Sequence, residues 1–214
     1  MPQTRTLARR RTRIQKQNVE LILGAALEVF SAYGFRGSRV DQIAAKCGLS
    51  KPNLLYYFRR KEDIYIALLE HTLADWLEPL QALDPAGDPV NELTRYVRAK
   101  MRMSRDNPEA SRLFANEVLH GATAISRFLK GPLKQLVDEK AAIIAGWMDE
   151  GKLNRINPHH LIFAIWATTQ HYADFDVQVR AVLGDRTDII SNAEQTVLNL
   201  FIEGLRPRPA RTAV

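Results

Sequence analysis

The chain has 214 residues, which is enough for a substantial buried core, and its 30 lysines and arginines outnumber 24 acidic residues for a formal net charge of +6. The basic excess favours a nucleic-acid partner, and the single cysteine, Cys47, excludes an internal disulfide. No apolar stretch approaches the length that a membrane span needs, so we expect a cytoplasmic protein without a membrane partner.

The first 16 residues form a basic segment that we expect to be a disordered arm. It has no acidic residue, since the first is Glu20, and its basic residues are Arg5, Arg9, Arg10, Arg11, Arg13 and Lys16. Such a charge run cannot bury enough apolar surface to fold alone. Beside a DNA-binding unit it can follow the phosphates or enter a minor groove, although it can also be only a solvated tail.

Residues 21–27 are apolar and, after a basic start, imitate the core of a secretory signal peptide. The run is short, and Glu20 and Glu28 bracket it. The segment is also amphipathic rather than uniformly apolar, so we predict a first helix rather than a signal peptide.

Residues 38–58, SRVDQIAAKCGLSKPNLLYYF, predict two short helices joined by a tight turn. Gly48 ends the first helix and Ser50 can cap the second, and the apolar positions recur at helical spacing: Val40, Ile43, Ala44, Leu54, Leu55 and Phe58. The second helix begins with Lys51, Pro52 and Asn53, so its first turn offers polar groups to DNA. This pattern predicts a helix-turn-helix that enters the major groove, with a purely structural hairpin as the alternative.

The rest of the chain is predicted to be helical, because apolar residues recur at helical spacing and breakers fall between the runs. We expect helices over 61–83, 89–106 and 108–121, then a long helix to residue 151 with a bend at residues 131–132, and further helices over 158–179 and 187–202. This body is several times larger than the DNA reader. A purely architectural DNA binder would not need it, so its size favours sensing.

A stripe on the predicted helix 158–179 places polar groups among apolar and aromatic ones: Phe163, Trp166, Thr169, Gln170 and Ala173. A buried carboxamide needs partners, and a small planar ring with adjacent N–H and C=O groups can supply them. The predicted helix 61–83 adds Trp76 to this group of candidate ligand contacts. The predicted helix 108–121 adds Asn116 and Glu117, which lie beside Leu113 and Phe114. Each group also has a structural explanation: core packing for the tryptophans, a cross-helix bond for Gln170 and an ion pair for Glu117.

An enzyme is the competing class, and Glu117 with His120 forms its best motif, a Glu-x-x-His. Di-metal sites of the ferritin type use two such motifs, but this chain has one. The sequence contains no phosphate loop, Gly-x-Ser-x-Gly elbow or dinucleotide-binding glycine pattern. We therefore expect no catalytic residue, metal site or cofactor.

The stretch AALEVFSAYGFRGSRVDQIAAKCGLSKPNLLYYFRRK, which ends at Lys61, resembles the N-terminal domain of TetR-type one-component transcriptional repressors. The resemblance implies an all-α fold: a three-helix DNA-binding domain over 17–60, a helical ligand-binding and dimerisation domain over 61–206, and a flexible tail over 207–214. The family motif implies that Lys51 and Asn53 approach base edges of double-stranded operator DNA. It assigns the remaining DNA contacts, mostly to phosphates, to Ser38, Arg39, Pro52, Tyr56, Tyr57 and Lys61.

Three further segments, residues 104–122, 136–153 and 160–175, are similar to pyrimidine-responsive members of the same family. This similarity implies a homodimeric repressor of pyrimidine catabolism whose effector is uracil or thymine, with another small planar or apolar metabolite as the alternative. The predicted effector contacts are Trp76, Phe114, Asn116, Glu117, Trp166, Thr169 and Gln170. We expect the last two helices to form a four-helix dimer interface with Val197, Leu200 and Phe201.

Overall fold

The computed structural model describes residues 3–184 and 186–207, and side chains from residue 13 onward. These residues form α-helices joined by short turns, with no strand in the described ranges, so the predicted all-α class is confirmed. The helices are α1 Gln3–Gly37, α2 Val40–Lys46, α3 Lys51–Tyr57, α4 Lys61–Gln81, α5 Pro89–Asp106, α6 Pro108–Leu119, α7 Ser126–Phe128, α8 Lys134–Asp149, α9 Pro158–Asp174, α10 Asp176–Leu183 and α11 Ile189–Leu198. Two π-helical segments, Leu129–Leu133 and Asn199–Glu203, precede α8 and follow α11.

The first helix begins earlier than expected, because α1 starts at Gln3, inside the segment 1–16 that we predicted to be disordered. Arginine, leucine and alanine are good helix formers, and no glycine or proline follows Pro2 in this segment, so nothing local stops the helix from extending backwards. At the other end, Gly34 breaks the helical geometry with φ 66° and ψ 169°. The predicted tail over 207–214 lies, from residue 208 on, outside the described residues.

Helix α1 also corrects the expectation about apolar length. Residues 13–37 are long and apolar enough, by length and composition, to cross a membrane. In the fold, however, one face of this helix is core: the buried residues Ile22, Ala26 and Phe30 recur at helical spacing. The sequence argument was wrong about length, and the packing explains the apolar character.

The chain divides into two compact units, the first of which comprises Met1–Thr72 and Asn116–Ile125. In this unit α1 packs against α2, and α2 against α3. Its fully buried side chains include Ile43, Leu54 and Ile64. Phe30 meets Tyr65 edge to face, with ring centroids 5.2 Å apart. This small core holds the predicted helix-turn-helix in place.

The second unit comprises Leu73–Ala115 and Ser126–Val214. Helix α5 is central, because it packs against α9 and α11, and α9 also packs against α8. The core of this unit is one cluster of buried apolar side chains that includes Tyr96, Met101, Ile144, Trp147 and Ile165.

Two expected helices differ in the structure. The helix predicted over 158–179 is broken, because Phe175 (φ −115°, ψ 28°) ends α9 by donating its N–H to the His171 carbonyl, and α10 starts at Asp176. Gly184, with φ 74°, ends α10. The bend expected near Pro132 is a π-helical turn, which accommodates a proline that cannot donate a backbone hydrogen bond.

Candidate DNA-binding and effector-binding sites

The exposed face of α3 carries four of the predicted DNA contacts. Ser50 caps this helix, since its Oγ accepts a hydrogen bond from the Asn53 backbone N–H at 3.3 Å, and fully buried Leu54 anchors the opposite face. Gly48 makes the preceding turn with φ 68°. The side chains left exposed are Lys51, Pro52, Asn53 and Tyr56. This arrangement is suited to a major groove.

Two exposed basic side chains, one on α3 and one at the start of α2, are available to DNA. Lys51 pairs with Asp41 of α2 across an Nζ–Oδ2 distance of 3.1 Å. Both partners are solvated, so the pair is weak and can open when a phosphate or base competes. Arg39 is exposed at the start of α2, and its backbone N–H donates to Gln42 Oε1 at 2.8 Å.

Three side chains that we predicted to position phosphates are engaged inside the first unit. Ser38 is 3% exposed and its hydroxyl donates to the Gly34 carbonyl at 2.6 Å, so it closes the end of α1. The Tyr57 hydroxyl accepts from Asn18 Nδ2 at 2.6 Å. These bonds indicate structural roles for both side chains.

Lys61 has the most extensive internal contacts of the three. Its ammonium donates to the carbonyls of Phe35 at 2.6 Å and Ser38 at 2.8 Å, and it lies 4.5 Å from the centroid of the Phe35 ring. The C-terminal end of a helix leaves carbonyls without helical partners, and Lys61 supplies a donor to these two at the end of α1. The side chain therefore fastens the start of α4 to this turn.

In the second unit, Trp76 of α4 lies in a cluster with side chains from α5 and α6. The Lys100 ammonium is 4.6 Å from the centroid of the Trp76 ring, and the Phe114 ring lies 5.8 Å from it on a tilted plane. Lys100 is 2% exposed. Burial lowers the pKa of Lys100 to about 8, and the negative charge of Asp174 partly opposes this effect.

Asp174, at the end of α9, adds a carboxylate to the same group of helices. The Ser111 hydroxyl donates to its Oδ1, and Arg112 donates to the neighbouring Ala173 carbonyl at 3.2 Å. Burial raises the pKa of Asp174, while the Ser111 hydrogen bond and nearby positive charges oppose the rise. This group of helices thus holds a buried cation over Trp76 and a half-buried carboxylate that is bonded to Ser111.

The predicted effector contacts on α9 fall into two kinds. Thr169 is fully buried and donates to the Ile165 carbonyl at 2.7 Å, and Trp166 Nε1 donates to the Tyr96 hydroxyl at 2.5 Å, so both have partners in the core. Gln170 is half-buried, and no hydrogen bond joins its carboxamide to another described residue. It lies one helical turn before Asp174.

Asn116 and Glu117 belong to the first unit. The Asn116 side chain is exposed. Glu117 accepts hydrogen bonds from the Tyr65 hydroxyl at 3.1 Å and the Ala124 backbone N–H at 2.9 Å. These contacts differ from the predicted ion pair and give Glu117 a structural role in that unit.

The sequence analysis missed Lys100 and Ser111. A usable signal existed for Lys100, because it interrupts the buried stripe of α5, which contains Leu93, Tyr96, Val97, Lys100, Met101 and Ser104. A lysine inside an apolar stripe is rarely fully buried unless it has a partner. Across the described ranges no group of three or more His, Cys, Asp or Glu side chains could hold a metal ion.

Sequence comparisons place this arrangement in a known class. The family described as "Bacterial regulatory proteins, tetR family" matches residues 22–68, and "YcdC-like protein, C-terminal region" matches residues 69–208. The chain belongs to the TetR family of DNA-binding transcriptional regulators.

Among individual proteins, the chain is 50% identical to the HTH-type transcriptional regulator RutR of Escherichia coli K12, over 93% of this chain and 95% of that protein. The HTH-type transcriptional repressor NicS of Pseudomonas putida is 37% identical over 46% of this chain and 47% of its own. The structure of a TetR-like regulator from Rhodococcus matches with a TM-score of 0.62 at 21% identity, covering 86% of this chain and 92% of the other. That likeness confirms the fold alone.

Proposed function

We propose that the protein is a homodimeric repressor that leaves its operator DNA when uracil or thymine binds the second unit. The proposal draws on the 50% identity to RutR, which covers both units. We also propose that the protein acts in the cytoplasm, where operator DNA lies.

The observation that carries the effector assignment is the Gln170 carboxamide. This group is half-buried and has no hydrogen-bond partner among the described residues. A carboxamide offers two donors and an acceptor, and uracil presents adjacent N–H and C=O groups that match it. Trp76 and Phe114 supply apolar and aromatic surface for a planar ring.

Release from DNA requires that the effector prefer one arrangement of the protein over another. A single helix, α4, supplies residues to both units, because the first unit ends at Thr72 and the second begins at Leu73. The effector-side residue Trp76 and the turn-fastening residue Lys61 therefore lie on one continuous helix. A shift of α4 can change the spacing of the two recognition helices in a dimer, which must meet successive major grooves about 34–36 Å apart.

Dimerisation is supported by apolar side chains that the single chain leaves exposed near its C-terminal end. They are Phe175, Val177, Val182 and Leu200. Exposed apolar surface of this kind is typical of an association site, and two-fold dimers are the commonest oligomers.

The test is operator binding by fluorescence anisotropy at one fixed salt concentration, with and without uracil, thymine and cytosine. We expect uracil or thymine to weaken operator binding by the wild type. Calorimetry of Gln170→Leu should show an affinity for the pyrimidine lower by about tenfold to a hundredfold, because a buried N–H and C=O lose their partner. Gln135→Leu, an exposed position on α8, is the matched control and should bind normally.

If neither pyrimidine binds the wild type, the effector assignment is wrong and another planar metabolite must be sought. If both pyrimidines bind Gln170→Leu as they bind the wild type, the proposed role of Gln170 is wrong while the effector assignment stands.

A further inference from the structure

Lys100 is a buried cation whose protein contacts do not use its hydrogen-bonding capacity. The ammonium has three donors, yet no hydrogen bond or ion pair joins it to another residue in the part of the chain that the structure describes. The ammonium lies over the face of Trp76, 4.6 Å from the ring centroid. No fully buried side-chain nitrogen or oxygen among the described residues lacks a hydrogen-bond partner, so this unbonded ammonium keeps some accessible surface that a ligand can reach.

The neighbouring groups explain part of this arrangement but leave the donors unused. The Trp76 ring attracts the cation, and Asp174 lies near enough to favour its charge. Neither contact gives an acceptor within hydrogen-bond distance of Nζ. Ser111 of α6 already donates to Oδ1 of Asp174, so this oxygen is bonded to α6 rather than to Lys100.

We propose that Lys100 is a specificity-determining residue of the effector site, where its ammonium donates a hydrogen bond to a ring carbonyl of a planar cyclic imide. This inference rests on the proposed function and adds a contact to it. Gln170 pairs with an adjacent N–H and C=O of the same ring, and Asp174 accepts from a second ring N–H. The three side chains together match a ring that alternates N–H and C=O groups.

The charges of the site also define what it rejects. Lys100 and Asp174 carry opposite charges, and each charge affects the pKa of the other group, so the cluster favours a neutral polar ring. A ring that carries its own carboxylate would meet Asp174 with like charge. A ring that lacks the contacted carbonyl would leave the Lys100 ammonium without an acceptor, and discrimination is strong when an analogue leaves a buried polar group unpaired.

The test compares three probes by calorimetry on the full-length dimer: uracil, 4-pyrimidinone, which lacks the C2 carbonyl, and 2-pyrimidinone, which lacks the C4 carbonyl. We expect the wild type to bind one of the two analogues about tenfold to a hundredfold more weakly than uracil. In Lys100→Met this ratio should fall, because the variant has no donor for that carbonyl, and it should stay above one because each analogue also lacks a ring N–H. Lys152→Met, at an exposed lysine, is the matched control and should keep the wild-type ratio.

The ratio separates a lost contact from a damaged fold, since a structural defect weakens all three probes alike. Lys100→Gln, which keeps a donor, should restore part of the discrimination. The proposal is overturned if Lys100→Met binds uracil like the wild type, or if it keeps the wild-type ratio at reduced affinity. If uracil and thymine both fail to bind the wild type, the proposed function itself is wrong, and that result is distinct from either of the others.

Discussion

Replacing Lys100 by methionine should stabilise the effector-free protein at pH 7. Methionine keeps an unbranched apolar stem against Trp76 and removes the buried ammonium. The difference between the ordinary pKa of 10.5 and about 8 in the fold corresponds to a penalty of about 3 kcal/mol on the charged form. Loss of the cation–π contact between the ammonium and the Trp76 ring offsets up to about 2 kcal/mol of this gain. We therefore expect the free energy of unfolding to rise by about 1–3 kcal/mol.

The same substitution should alter the pH dependence of stability. Because the pKa of Lys100 is lower in the folded state, the unfolded chain binds more protons between pH 8 and pH 10.5. The free energy of unfolding of the wild type should therefore approach that of the variant as the pH rises from 8 to 10.5. Below pH 8 it should stay lower than that of the variant by a constant amount. Urea unfolding of both proteins at equal concentration, at pH 7 and pH 10, measures the gap. Equal stability at pH 7, or a gap that does not narrow at pH 10, would refute the reasoning.

Four further substitutions test the first unit and the assembly. Lys61→Met should lower the free energy of unfolding by about 1–3 kcal/mol because two carbonyls lose their donor, and leave the salt dependence of operator binding unchanged; a slope reduced by about one would instead make Lys61 a phosphate contact. Ser50→Ala should cost about 1 kcal/mol in thermal unfolding through loss of the α3 cap. Asn53→Ala should relax discrimination between operator variants with little change in stability, and equal discrimination in a binding titration would remove Asn53 from the base contacts. Leu200→Arg should give a monomer with poor operator binding, whereas a dimer in sedimentation at low concentration would place the interface elsewhere.

The helix-turn-helix was predictable because its signals are local. Gly48 needs a positive φ, Ser50 caps the next helix, and Pro52 lies in its first turn, so each residue acts within a few positions of itself. The first residues of α5 and α9 were predictable for the same reason, because Asp88 and Asn157 cap the N-termini of these helices.

The side-chain partners could not be read in the same way, because they join residues far apart in the chain. Lys61 reaches the carbonyl of Phe35, 26 residues away, and Ser111 reaches Asp174, 63 residues away. A motif suggests which residue types face DNA or a ligand, but it does not show which of their atoms the fold already uses. For Lys100, the interrupted apolar stripe of α5 indicates burial, but only packing reveals that its ammonium lies over Trp76.

The two-part composition of the first unit has a consequence for protein engineering. The hydrogen bond from Tyr65 to Glu117 ties α4 to a segment that comes 52 residues later. A DNA reader excised at residue 72 would leave this tyrosine hydroxyl without its acceptor. A chimaera joined there would take residues 116–125 from the sensor donor, so it would need a carboxylate at position 117. Exchanging sensors between regulators of this kind therefore calls for three junctions, near residues 72, 116 and 125, rather than one.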